Sequence, residues 1–200
     1  MRAAGSLLVV CLAALVVGAC ASTKMTSTWR DPAIEQLQFR KVVGIALTAD
    51  PTLRRLAEDE FVRAVGATQG IAGYTLIPDE ELRDREAARA RLEAAGVDGA
   101  VVYRLASVEE RERWVPPTTY GGMWSYWGWA GPQVWEPGYL TTDQFVQVET
   151  AAYSVGDARL VWAGRSQTIN PSTVEDLIDD VVRVTVAELR KEQLLPAASR

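Results

Sequence analysis

FVQVETAAYSVGDARLVWAGRSQTINPSTVEDLI, residues 145–178, is the stretch whose reading decides the fold. Two runs rich in β-branched and aromatic residues, 145–155 and 158–169, flank Gly156-Asp157, a pair suited to a tight turn, so the spacing predicts an antiparallel hairpin. With those two residues as the loop, Tyr153 faces Leu160, Ala151 faces Trp162 and Glu149 faces Gly164. The apolar period then lengthens from two to nearly four. Ser172 reads as an N-cap answered by Glu175 three residues later, the capping box of a helix. Val174, Leu177, Ile178, Val181, Val182 and Leu189 fall on one stripe of that helix and need a sheet to cover them.

Working outward from this hairpin, GAVVYRLASV (99–108) predicts a strand, and the Ala-, Arg- and Glu-rich segment 79–95 a surface helix closed by Gly96. YTLIP (74–78) reads as a short strand stopped by Pro78. Before it, Asp50-Pro51 supplies an N-cap and a first helical residue. Leu53, Leu56, Ala57, Phe61, Ala64 and Val65 mark the buried face of the helix that follows. KVVGIALT (41–48), a continuous apolar run, predicts a buried strand. The order β-α-β-α-β-β-β-α implies an α/β (α+β) class, a mixed sheet with helices packed on it and a long aromatic loop. One domain over 41–196, with 114–139 inserted and 197–200 as a tail, suits the length of 200 residues.

The N-terminus is of another kind. Met1-Arg2 is followed by LLVVCLAALVV (7–17), an apolar run too short to span a bilayer core as a helix but right for an export signal. The string VGAC (17–20) resembles a lipobox. That resemblance implies that residues 1–19 are a lipoprotein signal peptide and that Cys20 is acylated with palmitate-type chains. It further implies attachment to a membrane, with Ala21 pointing to the outer membrane facing the periplasm. A retained anchor would use the same uncharged stretch, 3–21, but the small-small-Cys ending has no role there. Residues 20–40 then read as lipidated Cys, tether and lead-in, with ASTKMTST (21–28) as the flexible tether.

STWRDP, VDGAVVYRL, VQVETAAYSV, LVWAGRSQTINPSTVEDLI and LRKEQLLP, spread over 27–196, resemble a family of uncharacterised bacterial lipoproteins that carry a domain of unknown function. The element order is also similar to small periplasmic α/β domains of outer-membrane lipoproteins. The resemblance implies a cell-envelope setting and supplies no catalytic residues to carry over.

Composition narrows the chemistry. The formal charge is −5, and −6 once Arg2 leaves with the signal, with no Lys/Arg cluster, so nucleic acid is not an expected partner. Histidine is absent, which removes the commonest general base and zinc ligand. Of the two cysteines, Cys11 is lost with the signal and Cys20 is taken by lipid. No metal or cofactor site is expected. Neither Lys24 nor Lys191 is placed to activate a nucleophile, and Gly121-Gly122 is not followed by the residues of a phosphate loop.

Two features stay open. Glu149 sits mid-strand among apolar neighbours. It is either one half of a carboxylate pair in a cell-wall hydrolase, or a carboxylate on a wet sheet face answered by Arg165 or Gln147. The alternating EERER (109–113) reads as a solvated hairpin stem. Between Trp114 and Tyr139 lie five of the seven tryptophans. Trp124, Tyr126, Trp127, Trp129 and Trp135 are the candidate contact residues, for a partner protein or cell-wall glycan. The alternatives are a satellite core folded over the sheet and a segment dipping into the lipid interface. These observations favour a lipid-anchored, non-catalytic adaptor or binding module; a carboxylate-dependent hydrolase and a passive structural lipoprotein are the alternatives.

Overall fold

Residues 41–46 are buried on both faces, as a strand between two parallel neighbours must be. In the computed structural model, which describes residues 22–34, 36–66, 69–121 and 133–197, this strand is β2 (Lys41–Ala46) of a mixed sheet. The others are β1 (Ser22–Arg30), β3 (Gln69–Ala72), β4 (Gly99–Val115), β7 (Tyr139–Ser154) and β8 (Arg159–Ile169), in spatial order β1-β8-β7-β4-β2-β3. β2 runs parallel to β3 and β4; every other pairing is antiparallel. β5 (Thr118–Gly121) and β6 (Gln133–Glu136) form a separate two-stranded ribbon within the insertion. The helices are α1 (Pro51–Val65), α2 (Arg85–Ala94) and α3 (Val174–Lys191). The class is the expected one, a mixed sheet with helices packed on it.

α1 and α3 lie on one face of the sheet, where Phe61, Val65, Val182, Val186 and Leu189 meet Val42, Val101, Val161 and Trp162. α2 covers the other face only at its parallel end, packing Leu92 against Val43, Ile45 and Ala100. α1 and α3 are tied at their C-terminal ends. The Arg190 guanidinium donates to the Ala64 and Val65 carbonyls at 2.9 and 2.8 Å, a cation on the last turn of α1.

Five expectations change. Residues 21–28 are not a free tether: from Ser22 onward they form β1, which pairs with β8 from Ser22↔Ile169 to Arg30↔Trp162. Small polar residues hide an edge strand well, because an edge needs backbone partners more than apolar side chains. The YTLIP strand is displaced to QGIA (69–72), and Gly73–Thr75 forms a 3-10 turn. The cause is Glu58 on α1, whose carboxylate accepts the Tyr74 N–H and pulls the chain out of the sheet. The surface helix shrinks from 79–95 to 85–94, because Asp84 caps it by accepting the Ala87 N–H at 3.0 Å; Asp79–Glu81 is a separate 3-10 turn.

The fourth change is the hairpin register. Tyr153 faces Leu160 as expected, but beyond a bulge Ala152 faces Trp162, Ala151 faces Ala163 and Glu149 faces Arg165. The extra residue lets Val161 and Trp162, consecutive in sequence, both enter the same core. The last change concerns α3. Its cap is Thr173, not Ser172; the Thr173 hydroxyl accepts the Asp176 N–H at 3.0 Å. Val174 leaves the buried stripe and is exposed, while Thr185 and Val186 join it. Thr173→Ala should therefore lower stability by about 0.5–2 kcal/mol, and Ser172→Ala by much less. Urea midpoints of the two variants check the assignment.

Candidate functional site

Because α2 stops short, the far face of β1, β8, β7 and the middle of β4 has no layer over it among the described residues. An open cleft of about 510 Å³ runs along it. Cross-strand register builds this surface in two rows. Ser27, Arg165, Glu149 and Arg104 stand side by side on β1, β8, β7 and β4. One step along, Trp29, Ala163, Ala151 and Val102 do the same. Paired residues share a face, so the first row is ionic and the second apolar. The two alanines leave a trough beside the half-exposed Trp29 indole, and Tyr153 closes one end.

Glu149 accepts from Arg165 on one side and from Arg104 on the other. Those two bonds, with Arg165 the stronger influence, hold its carboxyl below the ordinary carboxylate range. It is thus an anion locked between two cations, not a group poised to exchange a proton near neutrality. Among the described residues lining the cleft, Glu149 is the only acid. The paired-carboxylate geometry that a hydrolase needs has no second member there. Each arginine keeps guanidinium N–H groups pointing into solvent, since both side chains remain about half exposed or more. The site therefore offers hydrogen-bond donors beside an apolar trough, a recognition surface by its chemistry.

The expected partner Arg165 is present; Gln147 is not the second partner, because Arg104 on the neighbouring strand is. Sequence reading could not find Arg104, since only the β4–β7 register brings it to Glu149. It also missed Trp29, which was assigned to the lead-in. EERER lies on β4 opposite residues 141–145 of β7, a paired strand stem with exposed Glu110, Arg111, Glu112 and Arg113. Among the candidate contact residues, Trp135 lies on β6, paired with Thr119. Trp124, Tyr126, Trp127 and Trp129, like Cys20, lie outside the described residues. Within the insertion, β5 and β6 pair with each other and with no strand of the six-stranded sheet, while Trp114, Val115 and Tyr139 lie on β4 and β7 of that sheet.

On the opposite face, a smaller apolar crevice of about 180 Å³ opens between the N-terminal ends of α1 and α3, beside Leu47, Leu105 and Val174. Among the described residues, no cluster of three or more acidic or cysteine side chains could hold a metal ion. No described helix is long and apolar enough to cross a membrane.

No protein-family model matches this chain, and no curated protein does. Solved structures similar to it include the PelC dodecamer from Paraburkholderia phytofirmans, with TM-score 0.44 and 12% identity, and a point variant of the same PelC dodecamer, with TM-score 0.45 and 12% identity. Each alignment covers 89% of this chain and 99% of the other.

Proposed function

We propose that this protein is a lipid-anchored cell-envelope module that binds a partner and catalyses nothing. The observation carrying this reading is the sheet face left open among the described residues, where Glu149, the one acid among the described residues of the cleft, is neutralised by two arginines beside an apolar trough. That arrangement favours holding a ligand over transferring a proton. The lipobox-like VGAC (17–20) supplies the anchor, acylated at Cys20, and places the module at a membrane, with the outer membrane facing the periplasm as the expected address. A cell-envelope protein or cell-wall glycan is the partner class that such a surface suits, since both present hydrogen-bond acceptors beside apolar patches.

Two measurements test it. Cys20→Ser should abolish incorporation of a labelled fatty acid, because only a thiol accepts the diacylglycerol; undiminished label would remove the lipoprotein reading. Ala163→Arg, on the floor of the trough, should abolish chemical cross-linking to the envelope partner at an unchanged melting temperature. Full cross-linking by that variant would show that the cleft is not the binding surface.

A further inference from the structure

The long β4–β7 pair does not end with the sheet. Ser22 of β1 stands level with Ile169 of β8, and Ile169 with Phe145 of β7. Beyond that level β4 and β7 continue as a free two-stranded arm, from Glu110↔Gln144 to Val115↔Tyr139. Six residues of β7 carry it about 20 Å further at roughly 3.3 Å per residue. Its direction is fixed by strand polarity. β1 and β7 are both antiparallel to β8, so both run the same way, and β1 begins at the end of the sheet where the arm projects.

Cys20 is two residues before Ser22, within about 7 Å of it along the backbone. The arm therefore reaches at least about 13 Å past the residue read as the lipid attachment point. The start of β1 and the end of the arm thus lie toward the same end of the sheet.

The chemistry of the arm changes along its length. Its neck is charged and internally paired. Arg113 bonds Asp143 at 2.9 Å, Arg111 bonds Glu109 at 2.6 Å, and Arg111 also lies 4.8 Å over the Phe145 ring. Its end is not charged: Trp114, Val115, Tyr139, Leu140, Thr141 and Thr142 include no Asp, Glu, Lys or Arg. Trp114, Tyr139 and Leu140 are 58%, 59% and 64% exposed. Trp114 is also fixed in place, for its indole lies over Gly138, where any Cβ would overlap it.

We propose that this arm is a second membrane contact, seating Trp114, Tyr139 and Leu140 in the interface of the bilayer that carries the Cys20 lipid. Aromatic side chains at the headgroup level, backed by a charged collar that stays in water, are the pattern such contacts use. The acidic balance of the chain points to zwitterionic lipid as the surface, with indole and phenol burial and not charge attraction as the driving force. The proposal rests on the lipoprotein reading for its orientation. Its consequence is a domain held at two points, with its attitude to the membrane set, where a single flexible tether would leave it free to tumble.

The processed mature chain has no thiol but Cys20, so a single added cysteine can carry a polarity-sensitive fluorophore. Leu140→Cys is compared with Ala158→Cys, at the exposed β7–β8 turn on the opposite end of the sheet. Each full-length protein is reconstituted into phosphatidylethanolamine/phosphatidylcholine vesicles, with and without nitroxide-bearing phospholipid. The probe at 140 should shift to the blue and be quenched by the nitroxide lipid, while the probe at 158 keeps its aqueous emission. Trp114→Asp combined with Tyr139→Asp should abolish the quenching at 140 while fatty-acid label is retained. A probe at 140 that stays water-like in vesicle-bound protein overturns the proposal. So does a blue shift without lipid quenching, which would mean that protein covers the arm. Failure of the lipoprotein reading shows separately, as thiol labelling of the parent chain and loss of fatty-acid label.

Discussion

Glu58→Ala is expected to cost the domain about 3–5 kcal/mol, because it strips one partner from a buried ion pair. Arg54 and Glu58, four residues apart on α1, are both 1% exposed and bond Nε to Oε1 at 2.9 Å. The carboxylate also accepts the Ala46 N–H at 3.0 Å, from the end of β2, and the Tyr74 N–H of the 3-10 turn. The guanidinium donates in addition to the Ile77 carbonyl at 2.9 Å and to Asp79 at 2.6 Å. One pair thus fastens α1, the end of β2 and the connection to α2. Removing the carboxylate leaves the buried cation with only the half-exposed Asp79 as counter-charge, and two backbone donors without acceptors. Replacing both residues by apolar ones should not recover full stability, since the Ala46 and Tyr74 donors stay unsatisfied. Asp79 adds a pH dependence. The hydrogen bond from Arg54 is the main cause holding its carboxyl below the ordinary range. Its contribution is therefore present above the unfolded carboxylate pKa and lost as pH falls through the lower folded value. Urea unfolding of the domain expressed from Ala21 onward checks both points. An unchanged midpoint for Glu58→Ala would show the pair to be dispensable.

Trp162→Ala should cost about as much, 3–5 kcal/mol by the usual range for a large aromatic removed from a core. Trp162 is fully buried at the centre of the helix-covered face. Its ring reaches along β8 to Gly164, where an added Cβ would overlap both the indole and the end of Met25 from β1. Gly164 is thus a space requirement, not a conformational one. Gly164→Ala alone should cost about 1–3 kcal/mol by overpacking. In the Trp162→Ala background that penalty should largely vanish, giving a coupling of about 0.5–3 kcal/mol in a double-mutant cycle. Additive losses would mean that the two positions do not share one space.

The sequence alone determined the class and most helices and strands. Asp50-Pro51 starts α1 where expected because capping and proline preference are local, decided within four residues. The apolar run at 41–46 marks a doubly buried strand for a similar reason: no other placement hides it. The lack of histidine is likewise a fact of composition. What tertiary structure decided are the places where a distant group outbids a local preference. Glu58 takes the Tyr74 N–H and ends a strand that β-propensity favours. The core admits both Val161 and Trp162 and so shifts the hairpin register by one, which brings Glu149 to Arg165 instead of Gly164. β8 presents an open edge, and the polar segment 22–30 fills it as a strand although nothing in its own pattern requires one. The site follows the same division. Glu149 was visible as an acid among apolar neighbours, but the second arginine, the apolar row beside it and the direction of the aromatic arm come from strand pairing. Strand pairing is a relation between residues up to 147 positions apart, as Ser22 and Ile169 are, and no local window of sequence contains it.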